Sequence, residues 1–204
     1  MARFSILFVS TGNICRSPMA ERLAERELSR ALGTDAAAFR VVSAGTWGHD
    51  GAPMEQHARA VLAERGARAG GFVAQELLPE QVAVADLVLT ASAEHGHQIR
   101  LIDPAAVDRV FTLLEFAALA ENLGVDPGGQ SPAGRARALV EAVAAMRNRR
   151  SAAVPARDID DPYGAPLHVF RLCADEISTG LRALVGHVAA ARPAPPSRAV
   201  GQVG

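Results

Sequence analysis

Residues 10–17 read STGNICRS, a set of residue types suited to holding a small anion. They sit between an apolar run, FSILFV (4–9), and a stretch in which Ala20, Leu23, Ala24, Leu28 and Ala31 share one helical face. A loop from a buried strand to a helix N-terminus can converge its backbone N–H groups, and the helix dipole adds positive potential. Gly12 permits unusual dihedrals and Asn13 tolerates the left-handed region. Arg16 can grip a phosphoryl group through two parallel hydrogen bonds. With Thr11, Ile14, Cys15 and Ser17 completing the turn, the stretch makes a small anion cradle.

The elements that must position this loop follow from the chain's periodicity. Ser17 is expected to N-cap the first helix with Pro18 at its first position, and Gly33 to end it. FRVVSAG (39–45) reads as a second strand and PMEQHARAVLAERG (53–66) as a second helix. ADLVLTAS (85–92) reads as a third strand and AEHGHQIRLI (93–102) as a short helix. DRVFTLLEF (108–116) is expected to be a fourth strand leading into a helical turn. A loop at 124–134, an amphipathic helix at 135–150, a rigid loop at 158–166 and a long helix at 167–191 complete the order. Strands alternating with helices imply an α/β fold, one doubly wound domain with a four-stranded parallel sheet flanked by helices on both faces. Ligands in such sheets bind at the carboxyl ends of the strands, where the 10–17 loop falls. The domain is expected to span 1–191, and the Pro- and Gly-rich residues 192–204 to form a flexible tail.

Composition narrows the partners. The 204 residues carry a formal charge of −1, which gives no reason to expect nucleic acid or an anionic membrane surface. No apolar run reaches the length of a membrane span, and the apolar N-terminus reads as a buried strand rather than a signal peptide. Two cysteines, Cys15 and Cys173, make no disulfide framework, so a cytoplasmic location is expected.

The stretch FVSTGNICRSPMAE (8–21) resembles the active-site loop of the low-molecular-weight protein tyrosine phosphatases, a cysteine, five residues, then arginine and Ser/Thr. VSAGT (42–46) resembles that family's second strand and pocket-wall loop, and DPYG (161–164) its general-acid loop. The resemblance covers roughly residues 4–190, with an enlargement near 124–152. It implies a phosphatase without metal or cofactor, acting on a phosphorylated protein or a small phosphomonoester. It puts the phosphate grip on Arg16, the general acid on Asp161, and Thr11, Gly12, Asn13, Ile14, Cys15 and Ser17 around the phosphate. The implied mechanism is in-line attack by a thiolate while the acid protonates the leaving oxygen, then hydrolysis of the phospho-enzyme. The chain's one Trp and one Tyr, Trp47 and Tyr163, abut these segments and would suit a phosphotyrosine ring. Pro162 singles out Asp161 over Asp158 and Asp160, which are expected to be solvated loop acids.

The nucleophile's position falls on Ser10. An alkyl alcohol ionises several pH units above a thiol, so a field that yields a thiolate does not yield an alkoxide. A serine nucleophile normally needs an adjacent base, and none of the six histidines is placed beside Ser10 by spacing. An intact anion site with little turnover is therefore expected, Ser10 being either a substitution that traps substrate or the mark of a natural pseudophosphatase. Cys15 directly precedes Arg16, too close to wrap a loop around phosphate, and reads as a small packing residue. In the family the matching cysteine is a redox partner of the nucleophile; position 10 has no sulfur for that pairing. Arsenate reduction, which related loops support, would need more cysteines than Cys15 and Cys173.

Overall fold

The computed structural model describes residues 3–47, 49–124, 126, 128–149 and 157–189. The seven residues of β1 (Phe4–Ser10) are all buried. Their side chains alternate between two apolar layers: Phe4, Ile6 and Phe8 enter a large core, Leu7 and Val9 a smaller one. A strand covered on both faces needs an apolar side chain at almost every position, which is why FSILFV is continuous rather than alternating.

β2 (Phe39–Gly45), β3 (Leu87–Thr90) and β4 (Val110–Thr112) complete a parallel sheet in the order β2-β1-β3-β4. The strand order reverses beside β1, so the loop after β1 opens at the switch point, where doubly wound sheets bind ligands. α1 (Arg16–Leu32), α2 (Gln56–Glu64), α5 (Leu113–Glu121), α6 (Pro132–Arg149) and α7 (Leu167–Ala189) supply the large core. α3 (Pro79–Val84) and α4 (Ala93–Ile102) cover the opposite face.

The expected strands and helices are present, with several changed bounds. Residues 113–116 belong to α5 rather than to the fourth strand: Thr112 Oγ1 accepts from Glu115 N and the Glu115 carboxylate from Thr112 N, a reciprocal cap that ends β4 after three residues. α3 was not expected; Pro79 at its first turn starts it. α6 begins at Pro132, inside the expected loop, because Ser131 Oγ accepts from Gly134 N. α1 begins one residue before Ser17, whose hydroxyl turns to Ser10 instead of capping. The proposed tail lies outside the described residues.

Candidate active site

Four carbonyls fix the shape of the 10–17 loop. Those of Ser10 and Thr11 accept from Thr46 N and Trp47 N at 2.9 and 3.0 Å, and those of Ile14 and Cys15 from Glu55 N and Met19 N at 2.9 and 3.1 Å. In a trans peptide the N–H points opposite the C=O. Each outward carbonyl therefore turns the next residue's N–H the other way, which aims Thr11, Gly12, Cys15 and Arg16 N–H inward. Asn13 takes the left-handed conformation its type allows, with φ of 54°. Gly45, paired with Ser10 across β1 and β2, must be glycine because a Cβ there would lie 2.7 Å from the Thr11 carbonyl. Gly12 differs from expectation. It is not among the left-handed residues, and its missing Cβ makes room for the His49 ring, whose Cδ2 would otherwise lie 2.3 Å away.

The loop encloses one side of a cavity of about 210 Å³ lined by Ser10, Thr11, Gly12, Ile14, Cys15, Arg16, Trp47, His49, Asp161 and Tyr163. Asn13 and Ser17 lie behind it. The Asn13 amide donates to Ser17 Oγ and Ser43 Oγ, both at 2.9 Å, and its oxygen accepts from Gln75 N. Ser17 Oγ, having accepted one hydrogen bond, lies 2.7 Å from Ser10 Oγ and 3.4 Å from the Ala44 carbonyl. Either hydroxyl can donate in the Ser10–Ser17 contact, and Ser10 Oγ also accepts from Ser17 N at 3.3 Å. The same network runs outward from Ser43 to the buried Glu21, 2.6 Å away. Burial pushes the Glu21 carboxyl above its usual range, against the opposing pull of Ser43 and Arg22.

Arg16 is buried and held on three sides: by the Ile159 carbonyl at 3.2 Å, Thr11 Oγ1 at 3.1 Å and Asp161 Oδ2 at 2.5 Å. Asp161 is half-exposed and its other oxygen accepts from Tyr163 N. Asp158 is not a free solvated acid. It accepts from Ala93 N at the start of α4 and, with Ile159 N bonded to the Ala91 carbonyl, pins the segment that carries Asp161 to the sheet. Trp47 and Tyr163 flank the cavity mouth at 71% and 63% exposure, so neither is a core aromatic.

Two histidines that sequence spacing did not place reach the loop. His95 Nε2 lies 3.0 Å from Thr11 Oγ1 and its Nδ1 2.6 Å from Ser92 Oγ. Burial, then the Arg16 cation, lowers its pKa to about 4, so it stays neutral at physiological pH. His49 packs over Gly12 and was signalled only by standing two residues after Trp47. Neither hydrogen-bonds Ser10 among the described residues. Burial, with Asp161 and Glu55 nearby, pushes the Cys15 thiol up to about 12, and burial does the same to Cys173. A reactive thiolate needs the opposite shift.

A sequence profile of the low molecular weight phosphotyrosine protein phosphatases matches residues 5–148. The chain belongs to that family. A protein-arginine-phosphatase of Geobacillus stearothermophilus is 31% identical over 86% of this chain and 90% of that one. The low molecular weight protein-tyrosine-phosphatase Etp of Escherichia coli is 37% identical over 49% of this chain and 62% of its own length. Among solved structures, the low molecular weight protein tyrosine phosphatase of T. tengcongensis superposes with a TM-score of 0.65 at 30% identity, covering 90% and 98% of the two chains. A YwlE arginine phosphatase variant, solved with its active-site serine phosphorylated, superposes with the same TM-score, 0.65, at 27% identity, covering 90% and 94%. The protein is thus a phosphatase-family chain of the tyrosine or protein-arginine type. Among the described residues no helix is long and apolar enough to cross a membrane.

Proposed function

We propose that the 10–17 loop binds the phosphoryl group of an aryl phosphomonoester, of which phosphotyrosine in a protein is the type, and that Ser10 accepts that group once and releases it slowly. Arg16 grips two phosphoryl oxygens after leaving Asp161, the inward N–H groups hold the equatorial charge, and Asp161 protonates the leaving phenol. Phosphoryl transfer passes through a loose transition state in which the bond to the nucleophile is little formed. A hydroxyl can therefore attack without a strong base. The Ser10 O–P bond forms as the P–O(aryl) bond breaks, and the Ser10 proton passes to a phosphoryl oxygen. The return step is harder, because water must expel an alkoxide where the family expels a thiolate. That asymmetry makes a trap rather than a catalyst.

The observation that carries this reading is the setting of Ser10 Oγ, which accepts from Ser17 N, lies 2.7 Å from Ser17 Oγ and lines a cavity that Arg16 and Asp161 also line. The phosphorylated serine in the arginine phosphatase variant supports it by likeness. Ile14, Trp47 and Tyr163 give the pocket apolar and aromatic walls against which an aryl ring can pack. The two high thiol pKa values, both about 12, disfavour arsenate reduction. A purely binding pseudophosphatase is the second reading, favoured by the lack of a base on Ser10. Incubating the chain with phenyl phosphate and measuring intact mass separates the two. The proposal expects one phosphoryl group per chain, mapped to Ser10 and abolished in Ser10→Ala. Tight phosphate binding without any adduct leaves the binder.

A further inference from the structure

The Arg16 side chain is steadied from the first turn of α4, an element that the sequence reading gave no part in the site. Nη1 of Arg16 donates to the Ile159 carbonyl at 3.2 Å, and Nη2 to Thr11 Oγ1 at 3.1 Å and Asp161 Oδ2 at 2.5 Å. The Asp161 contact opens when Arg16 takes hold of an oxyanion, which leaves the Ile159 carbonyl and the Thr11 hydroxyl to hold the guanidinium. A threonine hydroxyl has three staggered rotamers to choose from, so it needs a second partner to aim it. Among the described residues that partner is His95, whose Nε2 lies 3.0 Å from Thr11 Oγ1. The imidazole is itself fixed. Its Nδ1 lies 2.6 Å from Ser92 Oγ, the same oxygen caps α4 by accepting from His95 N at 3.4 Å, and Thr90 Oγ1 donates to the Ser92 carbonyl at 2.8 Å. The ring is buried. Burial and the Arg16 cation keep it neutral, so it sets no second positive charge beside the guanidinium. The other lasting contact leads to the same turn, because Asp158, next to Ile159, accepts from Ala93 N.

Resting on the phosphate-pocket reading above, we propose that His95 is a positioning residue: by fixing the Thr11 hydroxyl it holds the Arg16 guanidinium in the pose that grips an oxyanion. Either neutral tautomer serves. With its proton on Nδ1, the imidazole accepts from the Thr11 hydroxyl at Nε2; with its proton on Nε2, it donates to Thr11 Oγ1. In both arrangements Thr11 Oγ1 keeps a lone pair for Arg16. His95 does not touch the ligand. Its effect passes through two hydrogen bonds and arrives as affinity, because a guanidinium already held in place loses less freedom when the anion binds. An imidazole that only filled the space between α4 and the loop would set the stability of the fold and leave the anion affinity of the folded chain alone.

The test is calorimetry of sulfate at pH 7 on the full chain and on His95→Leu, His95→Asn, His95→Gln, Thr11→Val and the double variant Thr11→Val with His95→Asn. His95→Leu keeps the bulk and removes both polar atoms. His95→Asn keeps an amide near Ser92 that is too short for Thr11, and His95→Gln carries its amide as far as Nε2. One ordinary hydrogen bond changes affinity by about three- to tenfold. His95→Leu, His95→Asn and Thr11→Val are each expected to weaken sulfate by that factor, and His95→Gln to stay within about twofold of the native chain. The double variant is expected to lose no more than Thr11→Val alone, since both changes cut one path. Native sulfate affinity in His95→Asn or in Thr11→Val overturns the proposal. So does a loss in His95→Gln as large as in His95→Asn, or a double variant whose losses add. If His95→Leu does not fold, the Asn and Gln variants with the double variant decide. Failure of the unaltered chain to bind sulfate refutes the pocket reading instead, a result distinct from failure of the His95 role.

Discussion

Acidification from pH 7 to pH 4 should destabilise this protein through one identifiable side chain. His95 is 5% exposed, its two ring nitrogens lie against Ser92 and Thr11, and its pKa is lowered from 6.5 to about 4, by burial first and the Arg16 cation second. Asp161, Asp158 and Glu94 also face it and pull the other way without prevailing. Between these two values the unfolded chain binds a proton that the folded chain does not, so stability rises with pH across the window and is lost on descending it. The displacement from 6.5 to about 4 corresponds to about 3 kcal/mol at most. Little of this is screened by solvent, because the ring is buried. The assay is urea unfolding at pH 7, 5.5 and 4 for the native chain and for His95→Gln, which can still bond a hydroxyl but does not titrate. The native chain should lose about 3 kcal/mol more than the variant, most of it between pH 6.5 and pH 4. Parallel losses in the two proteins would refute the assignment of His95 as a neutral, buried imidazole.

Other consequences concern the site and its surroundings. In a Ser10→Cys background, Asp161→Asn should slow hydrolysis of phosphotyrosine by about a hundred- to ten-thousand-fold, and an activated aryl phosphate by less, as a rate comparison will show. Asp160→Asn should be nearly silent in the same assay, whereas Asp158→Ala, which releases the acid loop from the N-terminus of α4, should lower the rate without abolishing it. Cys15 and Cys173, each with a thiol raised to about 12, should resist iodoacetamide at pH 8 in the folded protein and react after denaturation, as followed by mass. Glu21 has its folded pKa raised, so its contribution is present at low pH and lost as pH rises above the unfolded value of 4.5; Glu21→Gln should remove that decline in urea midpoints.

The sheet was legible because β1 is covered on both sides, and such a strand shows a run of apolar residues ended by a glycine-containing loop. The cradle was legible because its residues are consecutive. Capping hid where β4 gives way to α5: VFTLLEF satisfies strand propensity, and only the Thr112–Glu115 spacing marks the helix start. The two histidines were not legible. His95 arrives from α4, 84 residues from Thr11 in sequence, and no local period encodes that contact. His49 could have been suspected from its neighbour Trp47. Gly12 was read for its conformational freedom, but its reason is a side chain from another segment, and steric need of that kind leaves no trace in the loop's own sequence.

On the proposed reading, Ser10 stands where a phosphate-attacking thiolate would, in a cavity that Arg16 and Asp161 also line. Ser10→Cys tests it most directly. Saturable hydrolysis of p-nitrophenyl phosphate at neutral pH is expected of that variant, inhibited by inorganic phosphate and lost when Arg16→Ala is added. A Ser10→Cys protein that binds sulfate as well as the native chain but turns over no faster than buffer would contradict it.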